Sequence, residues 1–187
     1  MLVGQKSGVV HALDPDRRGS IVWETRISPG AVMGGIMWGG ANDDRGSVYF
    51  PISDWDPTTP EVGGGVVALQ IASGEKLWST SAPPPRCLTV PGCSAAQPGP
   101  ATVIPGVVFV GSLDGHLRAY DAANGRVIWD FDTLHEFRAA DGVKARGGSL
   151  NAAGPVVVGG MVYANSGYAV IPAIAGNVLL AFSVDGK

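Results

Sequence analysis

The chain has 187 residues, 45% of them hydrophobic and 16% charged, which excludes an intrinsically disordered segment. A net charge of -3, with Lys and Arg scattered rather than in runs, excludes a basic surface for nucleic acid. No run of 18 apolar residues offers a membrane span, and 28 glycines with 14 prolines point to short strands and many turns.

Taken in chain order, residues 1–3 read as the middle of a strand that runs on into 8–12. The first residues lack a cationic stretch followed by an apolar one, so no secretory signal is expected in this chain. Strands at 2–3, 9–13 and 21–27 make up a first portion, 1–29. The second portion, 31–82, holds predicted strands at 35–39, 47–53, 65–69 and 76–79, the first of these innermost. An irregular connection follows at 83–100, rich in Pro and containing Cys87 and Cys93. The five residues between the cysteines include a Pro-Gly turn and allow a small disulfide-closed loop, as in an oxidising compartment; a pair of free thiols is the alternative. The third portion, 99–133, has strands at 101–104, 107–110, 116–120 and 127–129. Leu134 and Phe137, at helical spacing, predict one or two helical turns in a connecting loop at 134–144. The last portion, 147–187, begins with an inner strand at 148–152 and continues at 161–164 and 178–182.

One phrase recurs through these portions. Ala119, Asp121, Gly125 and Trp129 have the same spacing as Ala68, Gln70, Gly74 and Trp78; Ala12, Asp14, Gly19 and Trp23 repeat it with one extra turn residue. A fourth copy opens at Ala181. The repeat is about 50 residues long, as in propeller arrays. Its positions differ in what they supply. The small Ala allows close packing, Asp bonds its own turn backbone, and Gly accepts the positive φ of a tight hairpin. The Trp supplies a flat apolar wedge with an N–H that can be bonded. The fold class that follows is all-β, a partial β-propeller of about three to four four-stranded blades with low helix content. Such a half-ring has two open edges and invites either a missing half or self-association.

The repeated phrase resembles the tryptophan-docking motif of the pyrroloquinoline quinone (PQQ) dehydrogenases, a family of eight-bladed propellers. More narrowly, the phrases at 34–39, 105–120, 144–150, 165–168 and 176–182 resemble the C-terminal half of the polyvinyl-alcohol dehydrogenase family. The resemblance covers nearly the whole chain. It implies oxidation of a secondary alcohol to a ketone in the periplasm, with electrons leaving reduced PQQ for cytochrome c. It also implies a calcium ion that polarises the quinone and an Asp that takes the alcohol proton. A chain of this size alone is expected to have little activity. The rival expectation is a non-enzymatic propeller resembling outer-membrane assembly scaffolds.

The residues nominated for that chemistry follow from their types. PQQ has three carboxylates, and Lys144 and Arg146, in a Gly-flanked loop, are the cations placed to hold them. Trp38 and Trp55 stand outside the repeat register; Trp38, in a predicted inner strand, is the favoured stacking partner. Asp54, ending a strand, is the candidate base, while Asp43 and Asp44 read as turn residues. Asn151 could give an amide oxygen to calcium, although no carboxylate cluster with calcium spacing accompanies it. Asp130 and Asp132 follow a Trp already used by the repeat and read as outer-strand residues.

Overall fold

The computed structural model describes residues 1–31, 33–151, 153–168 and 173–185. Their strands form four radially successive antiparallel sheets and one hairpin. The first sheet is β1 (Leu2–Gly4), β2 (Val9–Asp14) and β3 (Ser20–Arg26). The second is β4 (Ala41–Asn42), β5 (Ser47–Pro51), β6 (Gly65–Gln70) and β7 (Lys76–Ser81). The third is β8 (Thr102–Ile104), β9 (Val107–Gly111), β10 (His116–Asp121) and β11 (Val127–Asp132). After the hairpin β12 (Glu136–Arg138) and β13 (Lys144–Arg146) comes the last sheet: β14 (Val156–Val158), β15 (Met161–Ser166) and β16 (Val178–Phe182). One 3-10 turn, Pro15–Arg17, is the only helix among the described residues, and none there is long and apolar enough to cross a membrane.

Alternation along each strand explains how the sheets stack. On β5, Val48 and Phe50 join Val10, Ile27 and Ile36 in one core, with Val67 and Leu69 of β6. The intervening Tyr49, Val66 and Ala68 point the other way, into a second core with Val108, Val110 and Tyr120. A middle strand buried on both faces therefore reads as a continuous apolar run, GVVALQ in β6. Each such Val, Leu or Phe contributes roughly 1.5–3 kcal/mol of burial.

The recurring phrase produces one structure three times. Ala12 pairs with Trp23, Ala68 with Trp78 and Ala119 with Trp129, and in each ladder the register slips immediately after the Ala. The small residue leaves room opposite the indole. Trp23 then lies over Gly74 of the next sheet and donates its Nε1–H to the Ile71 carbonyl at 3.0 Å. Trp78 repeats this on Gly125 and the Ala122 carbonyl at 2.9 Å. Gly74 and Gly125 have φ of +73° and +75°, and an added Cβ on either would stand 2.5 Å from the ring above it. Glycine is needed there twice over.

Three expectations are corrected. Residues 35–39 are not a strand; the innermost strand of that sheet is β4, beginning three residues after Trp38. The inner strand of the last sheet is β14 rather than 148–152, whose final residue lies outside the described set, as does Gly186 of the fourth phrase. Segment 134–144 contains the arm and turn of a hairpin, not helical turns. Leu134 packs with Cys87, Cys93 and Ile174, whereas Phe137 stacks on His135 at 4.2 Å, so their spacing reflects two separate contacts. The two cysteines are bonded, with Cα atoms 5.6 Å apart, and both are buried in that same cluster while the loop between them faces solvent.

Candidate cofactor site

At the end of the sheets opposite the Gly74 and Gly125 turns, the connecting segments are laced into an arc by main-chain bonds. Ile36 N–H donates to Gln5, Ser53 N–H to Gly35, Gln97 N–H to Ile52, Leu113 N–H to Ala96 and Leu150 N–H to Ser112. Small residues permit the close approach: a Cβ on Gly99 would stand 3.0 Å from the Asn151 carbonyl oxygen. Within the arc is a cavity of about 20 Å³ lined by Met33, Met37, Ser53, Trp55, Pro98, Leu113 and Asn151. That is room for a water-sized occupant.

Asp54 borders this cavity in sequence and is half-buried. Its backbone is left-handed, φ 42°, one of two such non-glycine residues among those described. Its Oδ1 accepts from the Gly35 N–H at 2.6 Å and from the Ser28 hydroxyl at 3.1 Å, tying the first sheet's exit to the second sheet. No protein donor reaches Oδ2 among the described residues. Trp55, next in sequence, is half-buried and pairs with Met33 in an isolated bridge.

The structure brings Trp55 and Asn151 to one cavity, beside Asp54. It does not bring Trp38 there. Trp38 is 57% exposed and lines a separate cleft of about 570 Å³ with Leu2, Gly4, Asn42 and Phe50. Lys144 and Arg146 are exposed on β13, on one face of the hairpin, opposite Arg138 and Glu136 respectively. Arg146 donates from Nη2 to the Ala175 carbonyl at 3.1 Å, and its backbone N–H to the Asn177 side chain at 2.8 Å. Asn151 follows five residues later.

A polar group that includes Asp130, read in sequence as an ordinary outer-strand residue, lies on the third sheet. Arg118, 2% exposed, donates to both oxygens of the buried Asp114, at 2.6 and 3.3 Å, and from Nε to Asp130 Oδ2 at 3.4 Å. Burial would lower its pKa, but the bond and charge of Asp114, aided by Asp130, outweigh this and hold it above its ordinary value. His116 Nδ1 meets Asp130 Oδ1 at 2.6 Å. The signal was present as two alternating pairs, His116/Arg118 and Asp130/Asp132, but only the β10–β11 register makes them one surface.

Sheet order, radial stacking and the repeated indole junction define the class, a partial β-propeller of the quinoprotein type. The chain belongs to the PQQ-repeat family: residues 62–187 match the family model described as "Outer membrane protein assembly factor BamB". Within it the chain is 44% identical over its whole length to the polyvinylalcohol dehydrogenase of Sphingopyxis sp. (strain 113P3) and 43% to that of Pseudomonas sp.. It spans 30% of the length of each. The 1-butanol dehydrogenase (cytochrome c) of Thauera butanivorans is 33% identical, over 49% of this chain and 18% of the relative. Among solved structures, BamB from Moraxella catarrhalis superposes with a TM-score of 0.63 at 19% identity, covering all of this chain and 47% of that one. Quinohemoprotein alcohol dehydrogenase from Comamonas testosteroni gives 0.62 at 19% identity, over 89% and 27%. These likenesses show the fold.

Proposed function

We propose that this chain is part of a PQQ-dependent dehydrogenase that oxidises secondary alcohols of the polyvinyl-alcohol kind to ketones, passing electrons to a periplasmic cytochrome c. The observation that carries the reading is the 44% identity across the entire chain to a polyvinylalcohol dehydrogenase. Bound PQQ would supply the two-electron acceptor for the alcohol carbon. Arg146 and Lys144, two solvent-facing cations on one strand face, suit its carboxylates, and the Trp55 indole beside the inner cavity suits its planar rings. Asp54 would take the alcohol proton at Oδ2, with Oδ1 fixed by Gly35 and Ser28. Its left-handed backbone is the kind of local strain retained at working positions.

Calcium needs six to eight oxygens. Among the described residues no group of three metal-ligating side chains is gathered, and Asp54 Oδ1 already holds two donors. The donor set of this chain does not fit the ion by itself. Asn151 is proposed as one amide ligand only beside oxygens from outside the chain, and no step is routed through the metal.

Spanning under a third of its relatives, the isolated chain should give no turnover with PQQ, calcium and an artificial acceptor; robust oxidation by the monomer would refute that. The separation of Trp38 from Lys144 and Arg146 favours a second reading, a protein-binding scaffold. Equilibrium dialysis against PQQ decides between them: retained PQQ supports the quinoprotein reading, and none supports the scaffold.

A further inference from the structure

We propose that the cleft between Pro83–Pro85 and the third sheet is a subsite for a neutral polyhydroxylated chain, holding a polymeric alcohol away from the carbon being oxidised. This rests on the quinoprotein reading. The cleft has a volume of about 590 Å³ and is lined by Pro83, Pro84, Pro85, Arg86, His116, Arg118, Asp130 and Asp132.

The polar lining is not required by the repeat. At the same register the second sheet has Gly65 opposite Ser81 and Val67 opposite Ser79, with no ionisable group, whereas the first sheet has Val9 opposite Arg26 and His11 opposite Glu24. The third sheet has His116 opposite Asp132 and Arg118 opposite Asp130. These four side chains share one strand face, with same-face neighbours two residues apart on a strand separated by roughly 6.6 Å. A buried guanidinium is an expensive device for mere packing. Here Arg118, braced from behind by Asp114, fixes Asp130, and Asp130 in turn fixes His116 through Nδ1. The His116 Nε2 has no protein partner among the described residues, and neither has the exposed Arg86.

The chemistry selects a class of ligand. With Asp114 already paired to Arg118 from behind, two arginines face three carboxylates, so the cleft carries a slight negative excess that disfavours an anionic ligand. Carboxylate acceptors alternate with imidazole and guanidinium groups, an array suited to hydroxyls, which donate and accept at once. The three prolines form a rigid apolar wall for the carbon stem. Leu113 lines the inner cavity, and His116, three residues on, lines the cleft.

The test is calorimetric titration of the whole 187-residue chain, without PQQ, using polyvinyl alcohol oligomers of graded length. Binding should tighten with length, and His116→Gln and Arg86→Ala should each weaken it about tenfold, while Lys6→Ala leaves it unchanged. Arg86 is exposed and unpaired, so its variant should keep the parent circular dichroism. An absence of polymer binding, oligomer binding indifferent to both variants, or equal competition by 2-butanol would overturn the proposal. Polymer binding lost in both variants, in a chain that retains no PQQ, would uphold the subsite and defeat the cofactor reading. PQQ binding with no polymer binding would do the reverse.

Discussion

The junction between the second and third sheets and that between the third and fourth use the same residue differently. At the former, Trp78 rests on Gly125, donates its indole N–H to Ala122, and is flanked by Thr80, whose hydroxyl bonds the Gly125 carbonyl at 2.8 Å. At the latter, Phe131 stands where Thr80 would, and Trp129 packs edge-on against Phe182 at 5.2 Å, with Phe131 and Phe182 at 4.8 Å. No indole bond from Trp129 occurs among the described residues. Beside it opens an apolar cleft of about 410 Å³, lined by Ile104, Phe109, Val157 and Val162 among others. Among the described residues the first junction shows hydrogen bonds and the second shows ring contacts, the position matching Gly125 in the last sheet lying outside the described set.

The largest expected effect comes from filling the platform. Gly125→Val should cost about 3–4 kcal/mol, combining overpacking against Trp78 with a left-handed backbone. Gly106→Val, at φ +83° in open space, should cost only about 1–2 kcal/mol by the strain alone. Urea denaturation of both measures the difference, and equal losses would remove the platform from the account. Next, Trp78→Phe should cost about 1 kcal/mol more than Trp129→Phe, since among the described residues only the former loses a bond as well as ring volume. Thr80→Val should cost up to about 1 kcal/mol by removing the hydroxyl that bonds Gly125, again read as a shift in urea midpoint.

The smallest effect is electrostatic. Tyr49, on the second sheet, places its hydroxyl 2.8 Å from Asp43 Oδ2 and 3.3 Å from the Ala122 carbonyl that Trp78 also uses. Burial pushes the Asp43 pKa up, but the N–H groups of Ser47 and Arg45 and the Tyr49 hydroxyl outweigh it and hold it below 3.8. A lowered folded-state pKa means stability present above 3.8 and lost as pH falls through the lowered value. Asp43→Asn should therefore flatten the acid limb of a midpoint-against-pH curve below about pH 4. Tyr49 itself is raised to about 12, by burial and then by Asp43, and stays protonated well into alkali.

What the sequence made legible was local chemistry. Gly74 and Gly125 announce a positive φ, and Ala68 and Ala119 announce the space opposite an indole, so the repeat and the propeller could be read from offsets. The inner strands could not. Ala41–Asn42 and Val156–Val158 are too short for a period to emerge, and they are fixed by pairing on one side only. Trp38 was assigned by that missing strand and so was placed wrongly in the fold. Trp55 and Asn151 meet only because the main-chain arc joins segments about 100 residues apart, and the polar cleft exists only through cross-strand register.

The cofactor claim is met most directly by titrating PQQ into the chain and following tryptophan fluorescence and quinone absorbance for the parent, Arg146→Ala and Trp38→Phe. Saturable binding, weakened about tenfold by loss of the guanidinium and untouched by the Trp38 change, is the predicted result. Absent saturation, or binding that depends on Trp38 and ignores Arg146, would contradict it.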